Sequence, residues 1–379
     1  MINPTRVVFG DGTIAALPRL IPKDASVMVF YGGGSIKRNG VYDQVVVALA
    51  GYTLTEFGGV EANPRYETIL RAAAQARRDG VDFVLAVGGG SVIDAAKFLV
   101  SAIIADDPDP WDAFFANRYP ERIVPVGCVL TLPATASESN SVAVISSIER
   151  SLKYPFNREA SRPIFAIMDP STMASLDRRQ LSNGAVDAFT HVIEQYLTLP
   201  DILPIQHGYS EVLLRTLIEW GPRLVADNSP AAREIVMWTA NQALNGLIGA
   251  GVEQDWSSHY IGHAITALYD IDHARTLTLV MPSLLRLKRE TKLAMLARYA
   301  RNVWHIEESD DRRAADLAID HTEGFFRAMD MPVRVADVAP IVISADAINN
   351  HLAQVGHTAL GERKDIGPAD VDRIIAMAA

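Results

Sequence analysis

Four histidines and one aspartate lie in two short segments of a chain that contains nine histidines. Asp187 and His191 are four residues apart in a helical pattern, as are His259 and His263, so each pair lies on one helix face. His273 follows in a segment that reads as a loop. Divalent transition metals accept imidazole nitrogen and carboxylate oxygen, and three histidines with one aspartate would leave the ion a net charge of about +1. The spacing indicates a metal site, although a lone Asp–His pair is usually only a surface or satisfied buried pair.

The remaining histidines are interpreted as solvated or as satisfied by hydrogen bonds. They are His207, His305, His321, His351 and His357. The single cysteine, Cys128, excludes an internal disulfide and any cysteine-rich metal site, and is predicted to be a buried structural thiol. Candidate metal chemistry is therefore confined to the two histidine-rich segments.

The sequence Gly-Gly-Gly-Ser occurs at 32–35 and again at 88–91, each time between a strand-like and a helical segment. Glycine lets the backbone approach a ligand closely, and the N–H groups that begin the next helix favour an anion. Two such clusters predict phosphate binding, although a lone cluster is more often a tight turn. Neither matches G-x-G-x-x-G, and we assign neither an acidic partner about 20 positions downstream, so the pattern departs from the standard dinucleotide fingerprint.

The segment 32–38 contains no acidic residue. Sites that select NAD place an acid against the ribose 2′-OH, whereas NADP sites remove that charge and offer small or basic groups. The residues here that can surround a 2′-phosphate are Gly33, Gly34, Ser35, Lys37 and Arg38. The segment therefore predicts a preference for NADP(H) over NAD(H).

Asp94 lies one turn inside the helix that follows the second glycine cluster. It can face a cofactor, or it can simply complement the helix dipole. A hydroxyl-rich loop with Thr131 and Thr135 follows a later strand, and it is either a turn or a source of donors to phosphate or ribose.

Strand-like and helical segments alternate over the first part of the chain and predict βαβ units on a parallel sheet. The predicted strands are 6–9, 26–31, 52–57, 83–87, 123–130 and 164–168, and the helices are 39–49, 67–79 and 91–104. Beyond residue 170 strand signals nearly vanish, and helices are predicted at 179–197, 205–220, 231–248, 255–268 and 283–303. We predict an α/β dinucleotide-binding domain over 1–172 and an all-helical metal-binding domain over 173–379, with a ligand cleft between them.

Composition excludes several classes of function. A net charge of -10 without a run of Lys or Arg argues against nucleic-acid binding. The most apolar stretch, 81–105, contains three glycines, Asp94 and Lys97 and fails as a membrane span. The first residues lack a charged segment followed by an apolar one. We expect a cytoplasmic protein that acts on a small molecule.

Several motifs, in the same order over nearly the whole chain, resemble the iron-containing (group III) alcohol dehydrogenase family. They are the stretches 88–97, 131–141 and 183–191 and the pattern His259-x3-His263-x9-His273. The stretches 31–37 and 246–251 resemble the branch of bacterial NADPH-dependent butanol dehydrogenases and broad-range aldehyde reductases.

The resemblance implies roles for individual residues. Asp187, His191, His259 and His273 match the metal ligands, for Fe²⁺ or Zn²⁺, and His263 matches a histidine near the nicotinamide that is not a ligand. The matched cofactor contacts are Asn63, Gly89, Gly90, Ser91, Asp94, Thr131, Asn140 and Lys153. The resemblance also implies a homodimer.

The implied activity is NADPH-linked, metal-dependent reduction of short- to medium-chain aldehydes to primary alcohols, and the reverse oxidation. One alternative is a relative on the same fold, such as a glycerol dehydrogenase or a dehydroquinate synthase. The latter needs a basic pocket, whereas the metal segments carry Trp256, Tyr260, Ile261 and Leu268. Another alternative is a protein that binds NADP(H) and metal without catalysis.

Overall fold

The computed structural model describes residues 3–200 and 203–379. Two compact units divide the described residues, one ending at Leu176 and the other beginning at Asp177. The first contains every strand found in the described ranges, and the second is helical. The predicted fold class, an α/β unit followed by an all-α unit, is confirmed.

Eight strands occur in the described part of the chain, in the order β1 to β8. They are Arg6–Phe9, Ser26–Tyr31, Thr53–Phe57, Phe83–Gly88, Val126–Leu130, Val142–Ser147, Leu152–Asn157 and Phe165–Met168. Six of them form a parallel sheet in the order β1-β8-β5-β4-β2-β3, and β6 and β7 form an antiparallel hairpin. The hairpin was not predicted from the sequence, which assigned no element between the strands at 123–130 and 164–168.

Fourteen α-helices occur in the described ranges, numbered α1 to α14. Those of the first unit are Ser35–Arg38, Val41–Ala48, Tyr66–Arg78, Gly90–Ala102 and Trp111–Phe115. Those of the second are Arg178–Tyr196, Pro204–Asp227, Pro230–Leu244, Ser257–Tyr269, His273–Leu287, Leu293–Asn302, Asp311–Ala328, Ala345–Gln354 and Pro368–Ala378. None of these helices is long and apolar enough to cross a membrane.

The central strands are apolar along their whole length because helices cover both faces of a parallel sheet. Every residue of β4 and of β5 is buried. Cys128 lies in β5 and is buried, as predicted for a structural thiol. Gly127 beside it leaves room for the Phe165 ring, since a Cβ there would overlap that ring. Buried packing of these strands therefore fixes the positions of their carboxyl ends relative to one another.

The helix predicted at 39–49 is found as α2, Val41–Ala48, and Gly40, with a φ of 79°, separates it from α1. The limits of another predicted helix are wrong, because the segment 283–303 is divided: α10 ends at Leu287 and α11 begins at Leu293. His273, predicted in a loop, is instead the first residue of α10.

Candidate metal and nucleotide sites

The first two candidate ligands lie on α6, the first helix of the second unit. Asp177 caps this helix, because its side chain accepts from the backbone N–H of Gln180. In turn, Oε1 of Gln180 accepts from the backbone N–H of Asp177. Asp187 and His191 follow on one face, and each is only 4% exposed. Their charged and polar atoms are therefore held away from water on a well-anchored helix.

Two other helices bring histidines to this face of α6. One ligand atom each from Asp187, His191 and His259 lies within 4.8 Å of the others. His273 reaches the same carboxylate from the start of α10, with its Nε2 3.9 Å from Asp187 Oδ1. The structure thus brings all four residues together.

The chemistry of this cluster fits a divalent transition metal. Burial lowers the pKa of His191 to about 4, so its imidazole is neutral at pH 7, which is the form that binds metal. Nδ1 of His191 is buried without a hydrogen-bond partner. A bound cation would compensate both for the buried Asp187 carboxylate and for that nitrogen.

Glu194 is a site residue that the sequence analysis missed. Its Oε2 is hydrogen-bonded to Nδ1 of His259, and its Oε1 accepts from the backbone N–H of Ser258 at 2.6 Å. The signal was present, because Asp187, His191 and Glu194 are spaced i, i+4 and i+7 and share one face of α6. A carboxylate behind a histidine ligand fixes the orientation of its ring.

His263 lies one turn beyond His259 on α9. Its ring centroid is 6.2 Å from that of His259 and 4.7 Å from that of His273. It is 9% exposed. His263 therefore borders the cluster, and neither it nor His273 is among the three residues whose ligand atoms converge most closely.

The second glycine cluster forms a tight turn between β4 and α4. A Cβ at Gly88 would lie 2.5 Å from Val92 Cγ2, and a Cβ at Gly90 would lie 2.6 Å from Thr135 Oγ1. Only glycine fits these two positions, and the first N–H groups of α4 lack acceptors within the helix. The turn is thus suited to a phosphate group, although the Ser91 hydroxyl donates to the carbonyl of Ala62.

Asp94 is engaged with the β6 region. Its carboxylate accepts from the Ser137 hydroxyl and from the backbone N–H of Val144, the latter at 3.0 Å. Burial raises the pKa of Asp94 above its usual range. The contacts of Asp94 in this structure therefore organise the protein, but α4 has no acidic residue in its first turn, so Asp94 does not have the dipole role that the sequence allowed.

Lys97 is buried one turn after Asp94. Its Nζ donates to the Ser137 hydroxyl at 2.7 Å, to Asn140 Oδ1 at 3.0 Å and to the carbonyl of Val142 at 2.7 Å. Burial lowers the pKa of Lys97 to about 8. Lys97 therefore holds the loop that carries several of the predicted cofactor contacts.

The other predicted cofactor residues lie near the strand ends. The Thr131 backbone N–H donates to the carbonyl of Gly88 at 3.0 Å, and the Asn140 amide donates to the carbonyl of Thr135 at 2.9 Å. Lys153 donates to Asn63 Oδ1 at 3.1 Å, so the structure joins two predicted contacts that are far apart in sequence.

The first glycine cluster lies between β2 and α1. Gly34 has a φ of 85°, whereas the space beside Gly33 is open, with nothing within 4 Å of an added Cβ. Ser35 begins α1, and Lys37 on that helix forms an ion pair with Glu56 at 2.7 Å. Lys37 therefore has an acidic partner that the sequence analysis did not assign.

The assignment of no acidic partner to this cluster was wrong. Glu56 follows Gly34 by 22 positions and lies next to the end of β3, the strand beside β2. The spacing of Glu56 from Gly34 is the sequence signal for this acid.

Two family models cover most of the chain. Residues 4–170 match the model described as iron-containing alcohol dehydrogenase, and residues 182–375 match the C-terminal model of the same family. The chain belongs to the iron-containing alcohol dehydrogenase family, and it is an oxidoreductase of alcohols and aldehydes.

Individual relatives are similar over their full length or nearly so. The NADPH-dependent aldehyde reductase YqhD of Escherichia coli is 46% identical, with 100% of this chain and 98% of that protein covered. A crystal structure of E. coli YqhD has a TM-score of 0.98 at 45% identity and covers 100% of this chain and 98% of its own. The probable NADH-dependent butanol dehydrogenase 1 of Bacillus subtilis is 40% identical over 88% of each chain.

The low pKa of Lys97 predicts a measurable effect of pH on stability. Between pH 8 and the usual lysine pKa near 10.5, the unfolded chain binds a proton at Lys97 that the folded chain does not bind. Stability should therefore rise with pH across this window, by up to about 3 kcal/mol. Urea unfolding of the protein and of Lys97→Met at several pH values measures the effect. The methionine variant should be less stable at pH 7.5 and lack this rise, and equal slopes would contradict the prediction.

Proposed function

We propose that the protein is a metal-dependent, NADPH-linked reductase of short- to medium-chain aldehydes that also oxidises the corresponding primary alcohols. The observation that carries this proposal is the buried cluster of Asp187, His191 and His259, with His273 Nε2 3.9 Å from Asp187 Oδ1. The similarity over the whole chain to an NADPH-dependent aldehyde reductase supports aldehyde reduction with NADPH.

We propose these four residues as the ligands of Fe²⁺ or Zn²⁺. Three neutral imidazoles and one carboxylate leave a divalent ion with a net positive charge. When bound, such an ion supplies Lewis acidity that polarises the aldehyde oxygen and stabilises the alkoxide in the reverse direction. Glu194 keeps the ring of His259 turned so that Nε2 is available to the metal.

We propose that the first unit binds NADP(H), which supplies the hydride when bound. The turn of Gly89, Gly90 and Ser91 suits the pyrophosphate, because a helix begins there and side chains are excluded. The other proposed contacts lie around the two glycine loops and on the segments beside them. They are Gly33, Gly34, Ser35, Lys37, Asn63, Asp94, Thr131, Thr135, Asn140 and Lys153.

We propose His263 as the residue that helps deliver a proton to the substrate oxygen. It borders the ligand cluster, yet the proposed ligand set is complete without it. An imidazole whose ordinary pKa lies near neutrality can give and take a proton at working pH. The transfer would run from a ring nitrogen of His263 to the oxygen that becomes the alcohol, directly or through water or the cofactor ribose.

We also propose that the enzyme acts in the cytoplasm as a homodimer. A chain with one cysteine, buried in β5, forms no internal disulfide and suits a reducing compartment. The dimer rests on the family resemblance, and sedimentation of the purified protein would test it.

Removal of one proposed ligand tests the metal assignment. His259→Ala or His273→Ala should abolish both bound metal and NADPH-dependent reduction of butanal, because the ion would be left under-coordinated. Metal analysis and a turnover assay on the same preparation measure both effects. His321→Ala, a change of an exposed histidine on α12, is the matched control and should retain both. Full metal content and normal turnover in both ligand variants would reject the assignment.

The same assay separates the alternatives. Oxidation of glycerol without reduction of butanal would indicate a glycerol dehydrogenase instead. Metal and NADPH binding without turnover of any aldehyde or alcohol would indicate a protein that binds without catalysis.

Glu194→Gln tests the orientation of His259. The amide keeps the size of the side chain but has one acceptor oxygen in place of two, so it cannot accept from both the Ser258 N–H and His259 Nδ1, and metal affinity should fall by about 10- to 100-fold. Competition with a chelator measures the affinity. Glu211→Gln provides the control, because Glu211 is also buried in the helical unit but bonds to Tyr196, Arg298 and Asn302. An equal loss of affinity in both variants would show a general effect of stability rather than orientation.

His263→Ala separates proton transfer from packing. If His263 delivers the proton, the variant should retain its metal and its NADPH affinity and lose roughly 100-fold or more in kcat, with a changed pH profile. Steady-state kinetics over pH 5 to 9 with metal analysis provide the measurement. An unchanged kcat and pH profile at full metal content would leave His263 with a packing role only.

A further inference from the structure

The strand order identifies where a ligand should bind on the sheet. From β2 the chain crosses to β3 on one side, and then to β4 on the other side of β2. Ligands of open parallel sheets bind at the carboxyl ends of the strands where the connections diverge in this way. Both glycine loops lie there, since 32–34 follows β2 and the second loop begins at Gly88, the last residue of β4.

Glu56 lies on β3, the strand that follows the first glycine loop in the chain and lies beside β2 in the sheet. In doubly wound folds an acid on the strand after the first glycine loop hydrogen-bonds the ribose 2′-OH of NAD, and a nearby cation accommodates the 2′-phosphate of NADP. Glu56 is the fourth of the five residues of β3, and its register partner in β2 is Val29. Glu56 therefore lies close to the first glycine loop, which begins at Gly32.

Lys37 and two tyrosines donate hydrogen bonds to the Glu56 carboxylate. Lys37 Nζ is 2.7 Å from Glu56 Oε2, and the Tyr31 hydroxyl donates to the same oxygen at 3.3 Å. The Tyr42 hydroxyl donates to Oε1. Gly58 makes room for this arrangement, because a Cβ there would lie 2.5 Å from Tyr31 Cε2.

The pair remains accessible to a ligand. The side chains of Lys37 and Glu56 are 43% and 42% exposed. Lys37 Nζ also lies over the Tyr42 ring, 4.4 Å from its centroid, at the edge of the sheet. A 2′-phosphate beside the first glycine loop would compete with Glu56 for the same ammonium group.

We propose that Lys37 and Glu56 together determine the choice between NADPH and NADH. The inference rests on the proposed function. Lys37 attracts the 2′-phosphate, and Glu56 limits that attraction by pairing with Lys37, while Tyr31 and Tyr42 keep the carboxylate in place. Family membership leaves this choice open, because the relatives include one enzyme described as NADPH-dependent and another as NADH-dependent.

Opposite charge changes at the two positions should act in opposite directions. Lys37→Met leaves Glu56 without its cation, so the dissociation constant for NADPH should rise by about tenfold or more, while that for NADH changes little. Glu56→Gln keeps the hydrogen bonds to the tyrosines and frees the charge of Lys37, so NADPH should bind about threefold to tenfold more tightly. Lys37→Arg should retain NADPH affinity.

Fluorescence titration of the metal-loaded, full-length protein with NADPH and with NADH measures these constants. Lys23→Met is the matched control, because Lys23 is exposed and precedes the amino end of β2, away from the glycine loop. The effect of Lys37→Met should shrink as salt rises from 50 to about 500 mM, since the pair is solvent-accessible.

The outcomes distinguish this inference from the proposed function. If the unmodified protein binds NADPH but Lys37→Met and Glu56→Gln leave the ratio of the two dissociation constants unchanged, the inference is wrong and the proposed function stands. The same holds if Lys23→Met changes the ratio as much as Lys37→Met. If the unmodified protein binds neither nucleotide, both are wrong.

Discussion

Burial of the Asp187 carboxylate among three histidine rings is the constraint on which the helical unit depends. A charged group removed from water is costly unless a partner of opposite charge or a set of hydrogen bonds compensates it. The neighbouring His191 gives no such charge at neutral pH, because burial lowers its pKa to about 4. A divalent cation bound there would resolve this conflict, and its binding free energy would then contribute directly to the stability of the fold.

The position of His259 depends on a second layer of buried charges. Lys292 Nζ lies 2.9 Å from Asp255 Oδ2 and 2.8 Å from Glu362 Oε1, and all three side chains are almost fully buried. Asp255 in turn accepts from the backbone N–H of Ser257 at 2.9 Å, where α9 begins. Removing one partner of such a buried network leaves an uncompensated charge, which is strongly destabilising. The start of α9, and with it His259, is thereby held in place.

The architecture of the sheet unit depends instead on the parallel arrangement of its strands. Its parallel strands end together, so the two glycine loops lie at one edge although 56 positions separate Gly32 from Gly88. Asp94 and Lys97 are buried behind the second loop and bind the segment before β6 through Ser137. Polar groups that look available for a ligand in the sequence are thus partly used to hold the loops that would contact it.

The sequence by itself determined the types of element and most of the candidate ligands. Apolar runs bounded by glycine identified the strands β2 and β4, and helical spacing identified Asp187 with His191, because a continuous apolar run and a spacing of four residues are both local patterns. Only the tertiary structure decided which groups meet. Glu194 reaches His259 across 65 positions, and Lys37 pairs with Glu56 on a different element. Such contacts arise from the packing of helices and the order of strands, which no local pattern of residues encodes.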